Sequence, residues 1–502
     1  MQWTKITALL LLGTALVAAT TNRGLPDAME RHDTDAVRKL LVPGTDVNAS
    51  QVDGTTALHW AAFHDDADSA ILLLRAGAKV NVVNRYGVPP LALACKNGNA
   101  RLVKALLDAG ADANVELKGG ETVLMIAARS GSVDSVKALL ARGAKVDARE
   151  RLGQTAMMWA AAEGHTGVVS ALLDAGADLH ATAESGYQAF FFAVRGGHLD
   201  TTRALIKAGA DVKEMMKGRA RPGAKAPAIG TNPLALAVQN GHYELAIALV
   251  DAGADPNDVR TGFAPLHQVA MVRRPDSSDE SDPALVEGEG RLSSADFVRE
   301  IVKRGANVNF RLPMDRPKQR TNSWSSVASE GATPFLFATD RVDIPLMKLL
   351  LKLGADPLMP NFAGTTPLMA AAGVGTNEPP EEPGDEPEAL EAVKMLLDLG
   401  ADVNTVDANG DTAMHGAAYN ISPLVVNLLA ERGADPQIWK KPNKAGGTPL
   451  FIAEGYTSRL PRPDKATIEA ITKLMVAAGI STEGQRPKII DSYEKPAAKP
   501  EF

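Results

Sequence analysis

Apolar positions in this chain gather in short clusters that return at a fixed interval. Residues 153–186 read GQTAMMWAAAEGHTGVVSALLDAGADLHATAESG. Thr155 stands where an N-cap belongs, just before the apolar run that starts at Ala156. Gly164 is placed to break the chain after two turns. Val169, Leu172 and Leu173 then follow helical spacing. Gly176 ends this second run, and a polar, extended stretch leads on to Gly186. The pattern predicts two short helices joined by a tight turn, followed by a loop.

The same phrase recurs along the chain. Gly54, Gly87, Gly120, Gly153 and Gly186 open it at steps of 33 residues. Gly230, Gly262, Gly331, Gly364, Gly410 and Gly446 continue the series. A second series, exemplified by GAKVN at Gly77 and GADAN at Gly110, runs half a repeat out of phase. Such a period marks a solenoid. One unit is too small to bury its own apolar face, whereas stacked neighbours bury it together.

The phrases GTTALHWAA, GTTPLMAAA, GGTPLFIAE and GHTGVVSALLDAGAD resemble the ankyrin repeat. The resemblance spans about residues 22–479 and implies an all-α ankyrin-repeat solenoid of stacked helix–turn–helix units with extended finger loops. The expected organisation is a signal peptide at 1–19, a capping unit at 20–53 and about eleven repeats over 54–479. Extra residues rich in Pro, Gly and charge place inserted loops near 214–229, 272–292, 310–330, 374–388 and 455–465. Phase resumes after each, so one uninterrupted array is expected. The remainder, 480–502, reads as a disordered tail.

Composition adds an address. Lys5 precedes an apolar run from Ile6 to Ala19 that contains no acid, and Val17-Ala18-Ala19 suits cleavage after Ala19. Export to the periplasm or beyond is expected, with no membrane span once the signal is removed. Cys95 is the single cysteine, so no internal disulfide forms and stability must come from packing. The formal net charge of −7 disfavours nucleic acid, and a monomer is expected.

Candidate chemistry is sparse. His59 sits five residues after its glycine, a slot that holds Met125, Met158 and Phe191 in other copies. A slot that accepts Met or Phe is a packing slot. His59 and His64 lie about 140° apart around a helix and do not share a face. Cys95 falls where other copies have Ala62, Ala128 or Ala161, which reads as a buried thiol. The acidic DSSDESD lacks the spacing of a calcium loop. No cofactor or metal is implied, and no hydrolase, nucleotide-binding or metalloprotease motif appears. An enzyme or small-ligand binder would have to build its site on the inserts between Gly262 and Gly331, where Asp315, Arg316 and Lys318 lie without a known catalytic spacing.

The resemblance instead implies a non-catalytic scaffold that binds a protein through its fingers and first-helix edge. Those slots hold Arg85, Tyr86, Lys118, Arg149, Arg151 and Glu184 on the fingers, with Tyr187 after its glycine. Lys96, Arg129 and Arg195 stand at the first-helix ends. Tyr86 and Tyr187 are the expected anchors, since tyrosine is favoured at interface hot spots.

Overall fold

The computed structural model describes residues 24–216, 230–274, 290–316, 327–376, 385–456 and 463–483. The expected signal peptide, the centres of the five inserts and most of the tail lie outside these residues, as do KGRARPGAK, DSSDESD and Lys318. The described residues are helical, and their helices come in pairs, the local arrangement expected of an all-α ankyrin-repeat solenoid. The only β pairing among them is two isolated bridges, Ser50 with Thr56 and Glu116 with Thr122. No described helix is long and apolar enough to cross a membrane.

Contacts gather the chain into two compact units, one running through Asp211 and one formed by 212–215 and the residues from Gly230 onward. The division falls at the first expected insert, where the sequence reads as one array. In the first unit, Gly24–Glu30 and Thr34–Leu40 form a leading pair. Five pairs follow: Ala57–Phe63 with Ala67–Arg75, Pro90–Asn97 with Ala100–Asp108, Val123–Arg129 with Val133–Ala141, Ala156–Ala162 with Thr166–Asp174, and Ala189–Arg195 with Leu199–Lys207. The second unit begins with Pro233–Gln239 and Tyr243–Asp251 and ends with Pro449–Ala453 and Lys465–Ala477. Within each unit first helices pack on first helices and second helices on second.

Caps fix where each helix begins. The Thr155 hydroxyl accepts from the Met158 amide, and Thr122 and Thr366 do the same at their own helices. Gly164 and Gly176 adopt φ of +75° and +84°, which a side chain resists. At Gly120, φ is +83° and an added Cβ would lie 3.3 Å from the Glu150 Cα of the next finger. Glycine is thus required there both for conformation and for close approach.

The polar end of each GADVN phrase is a connector. Asn81 accepts from the Asp112 amide at 2.9 Å and donates to the Gly110 carbonyl at 2.9 Å. Asn48 and Asn114 repeat this bridge to their own neighbours. Asp147 only accepts, from the Asp178 amide at 3.0 Å. Asn257, Asn309 and Asn404 rebuild the double bond in the second unit. The second unit also buries an ion pair: Arg273 donates to Asp343 at 2.7 Å, and Asp343 caps its helix through the Leu346 amide.

Histidines in the packing slot are bolts. His59 Nε2 donates to the Val88 carbonyl at 3.1 Å in the next repeat, and its Nδ1 accepts from the Thr56 amide at 3.2 Å. His415 copies this, donating to the Lys441 carbonyl at 3.2 Å. His267 donates to the Ala332 carbonyl, but Ala264 replaces the capping threonine and Nδ1 has no hydrogen-bond partner among the described residues. Burial lowers all three imidazoles, His415 to about 4 and His267 to about 3. Cys95 is fully buried and burial pushes its thiol up, so it is no nucleophile.

Two expectations follow. Leu172 is wholly buried whereas Leu173 is only half-buried. Leu172→Ala should cost about 2–5 kcal/mol in denaturant unfolding, and Leu173→Ala distinctly less. Equal losses would contradict this core. The histidines give the second. Each is neutral in the folded chain at a pH where the unfolded chain takes up a proton, so stability falls as pH drops below about 6.5. For His415 or His267 the loss by pH 4.5 is about 2–3 kcal/mol. His415→Met, the side chain of the same slot at Met125, should flatten the acid slope of the melting temperature. An unchanged slope would refute the assignment.

Candidate functional site

Finger tips of the first unit are held by backbone bonds between repeats. The Arg85 amide donates to the Asp53 carbonyl at 2.7 Å, Arg151 to Gly119 at 2.9 Å, and Glu184 to Leu152 at 2.9 Å. Within a finger, Asn84 accepts from the Tyr86 and Val88 amides, each at 3.1 Å. Glu150 accepts from Leu152 at 2.8 Å and Gln154 at 3.0 Å. These bonds leave side chains at the tips projecting from a fixed backbone.

Tyr86 is 56% exposed, and the Arg85 guanidinium lies 5.1 Å from its ring centre and donates to its hydroxyl at 2.8 Å. Lys118 and Arg151 are exposed and paired with no carboxylate among the described residues. Arg149 is exposed and donates to the Thr182 carbonyl of the next finger at 2.8 Å. Glu184 is exposed at the following tip.

Tyr187 departs from expectation. It is only 3% exposed, with its ring 5.0 Å from Phe192 and 6.3 Å from Phe191. Burial raises its phenol, and Arg195 lies 6.0 Å from its ring. Tyr187 is therefore a packing residue under the finger and not an anchor for a partner. The signal was present in the sequence: the same slot holds Thr55, Thr231, Ala332 and Thr365, all buried.

Along the first-helix face, two rows stand three residues apart, the separation of neighbours on one helix surface. Trp60, Leu93, Ile126, Trp159 and Phe192 form a half-buried apolar row. Phe63, Lys96, Arg129, Ala162 and Arg195 form an exposed row beside it. Arg129 lies 5.2 Å from the Trp159 ring centre. The Trp159 indole N–H is buried and has no acceptor among the described residues. Trp60 donates to Gln51 at 2.9 Å and meets Phe63 edge-on at 5.5 Å.

Sequence reasoning missed some of this surface. Val52 is fully exposed, and Leu152 is 39% exposed at its finger tip. Both occupy the two positions before a phrase-opening glycine, as Arg85 and Tyr86 do, so the slot itself was the signal. The stack of His32 on His64, 4.9 Å apart, had none, because it joins the leading pair to the first repeat.

The insert region of the second unit packs differently. Arg316 is buried, with its guanidinium 4.8 Å from the Phe263 ring and bonded to the Ser329 hydroxyl. Among the described residues no three His, Cys, Asp or Glu side chains are grouped to hold a metal. A cleft of about 180 Å³ near the end of this unit is lined by Trp439, Pro449, Phe451, Met475 and Ile480.

Comparison with known proteins fits this architecture. A family profile described as ankyrin repeats (3 copies) matches residues 25–116, 91–183, 124–216 and 181–260. One described as ankyrin repeats (many copies) matches 386–420. Human ankyrin repeat and SOCS box protein 6 is 36% identical over 189 residues, which is 36% of this chain and 39% of that protein. Human protein fem-1 homolog A is 39% identical over 71 residues, 14% of this chain and 11% of that protein. An ankyrin repeat and LEM domain-containing protein 1 homolog of Caenorhabditis elegans is 36% identical over 74 residues, 15% and 10% of the two chains. The chain thus spans well under half the length of these relatives. Ankyrin repeats generally mediate protein–protein interaction, and the homologous repeat proteins are generally non-catalytic scaffolds. With ankyrin-repeat profiles matching residues 25–260 and 386–420, the chain belongs to the ankyrin-repeat family.

Proposed function

We propose that this chain is a non-catalytic scaffold that binds an exported protein partner through the finger tips and first-helix face of its first unit. The observation that carries the reading is Tyr86. A large side chain is 56% exposed on a finger whose backbone is already tied to the preceding repeat. A prepaid conformation of this kind lowers the entropy lost on binding. Aromatic and arginine side chains supply most hot spots, at about 2 kcal/mol or more each. Arg149, bridging two fingers at 2.8 Å, gives a second anchor on the same edge.

Export rests on the amino-terminal run from Ile6 to Ala19 with Lys5 before it, and on a chain whose one cysteine is buried. A monomer in solution is part of the same reading, and so is the absence of a cofactor.

Tyr86→Ala combined with Arg149→Ala should leave the melting temperature at the wild-type value. Affinity capture from the native organism, read by mass spectrometry, should then lose partner yield about tenfold or more, since each anchor of about 2 kcal/mol is worth roughly thirtyfold in affinity. Wild-type yield would show that the face is wrong. For the address, an epitope-tagged chain should fractionate with exported proteins; signal confined to the cytosol would end that part of the proposal.

A further inference from the structure

We propose that the first-helix face between residues 54 and 195 takes an extended acidic protein segment with apolar side chains at intervals. This rests on the binding reading above and adds the chemical class of the partner. Two observations meet here. The first is charge. Lys96 and Arg129 on the helix ends, and Lys118 and Arg151 on the fingers, are paired with no carboxylate among the described residues. Among the described residues some second-helix cations are paired, Arg101 with Asp68 and Arg203 with Asp200, while Arg75, Lys137 and Lys207 are not. What sets the first-helix face apart is that its four unpaired cations flank an apolar row, which in a chain of net charge −7 suits a segment that is both acidic and apolar.

The second observation is the apolar row beside those cations. Trp60, Leu93, Ile126, Trp159 and Phe192 repeat once per helix and are half-buried. Arg129 rests 5.2 Å from the Trp159 ring centre, and the buried indole N–H of that ring has no acceptor among the described residues. A carboxylate on this face receives the Arg129 guanidinium, with the indole N–H a second donor on the same ring. The aromatic faces then take the apolar side chains of the same segment.

Spacing sets the length. First helices packed about 8–10 Å apart carry five rows over about 35–40 Å. An extended chain covers that in about 12 residues at roughly 3.3 Å each, with a carboxylate about every third residue. A nucleic acid fits less well. Its phosphates would recur without the apolar interruptions that this face repeats.

The test uses the full chain and a fluorescein-labelled peptide of about 12 residues in which Glu alternates with Leu and Phe. Its Gln and Lys counterparts and a single-stranded DNA of about 12 nucleotides are the competitors. Expected are at least about tenfold tighter binding of the Glu peptide than of the Gln peptide, weakening with added salt, and a change in Trp60 and Trp159 fluorescence. Lys96→Glu with Arg129→Glu should weaken the Glu peptide by about tenfold or more and gain the Lys peptide at an unchanged melting temperature. Equal binding of Glu and Gln peptides, preference for the Lys peptide or the DNA, or indifference to the charge reversal overturns the proposal. Should the reversed chain melt early, the comparison of the three peptides on the wild-type chain decides. Partner capture that depends on Tyr86 and Arg149 without a preference for the Glu peptide leaves the binding reading standing and removes this one; capture independent of both residues removes both.

Discussion

The contact on which everything else depends is that of one first helix lying against the next. Seven and eight residues after the opening glycine, the first unit places Ala61 and Ala62, Ala94 and Cys95, Ala127 and Ala128, Ala160 and Ala161, and Ala193 and Val194. All ten have zero exposure. Small side chains there let backbones approach closely, and close packing leaves few voids. In the second unit the same two positions after Gly410 hold Ala417 and Ala418, at 0% and 1% exposure. A helix of seven residues has little stability alone, so each pair persists because its neighbours cover it.

That constraint explains what else the repeat must carry. Fingers have to turn back between successive first helices, which sets the left-handed glycines and the Asn bridges from Asn48, Asn81 and Asn114. His59 is tolerated in the buried slot because its two ring nitrogens find partners in Thr56 and Val88. What is left over after these demands is a row of finger tips and helix ends on a backbone hydrogen-bonded from one repeat to the next. Tyr86, Lys118 and Arg151 sit there because nothing in the packing claims them.

The fold was legible because its demands repeat. Two glycine series half a repeat apart located the helix pairs, and Thr155, Gly164 and Gly176 gave the breaks that the structure shows. The buried ion pair of Arg273 with Asp343 was not legible, since its partners lie 70 residues apart. At the candidate site, the positions before each glycine were readable as tips. The position after it was not read correctly at Tyr187, where an aromatic side chain suggested an anchor. The direction of a side chain depends on which side of the turn it leaves, and burial of Thr55 and Thr365 in the same slot carries that information. Neighbouring charges were likewise invisible: Arg101 and Arg129 look alike in sequence, yet one meets Asp68 and the other rests on Trp159.

Interdependence of neighbouring repeats is therefore the claim to test first, by hydrogen exchange read by mass spectrometry on a Met125→Ala chain. Met125 is wholly buried in the helix Val123–Arg129. Mutual cover predicts faster exchange in Pro90–Asn97 and Ala156–Ala162 as well as in the altered helix, fading by Ala189–Arg195. Loss of protection confined to Val123–Arg129 and its own partner Val133–Ala141 would mean that the repeats stand independently, and would contradict this account.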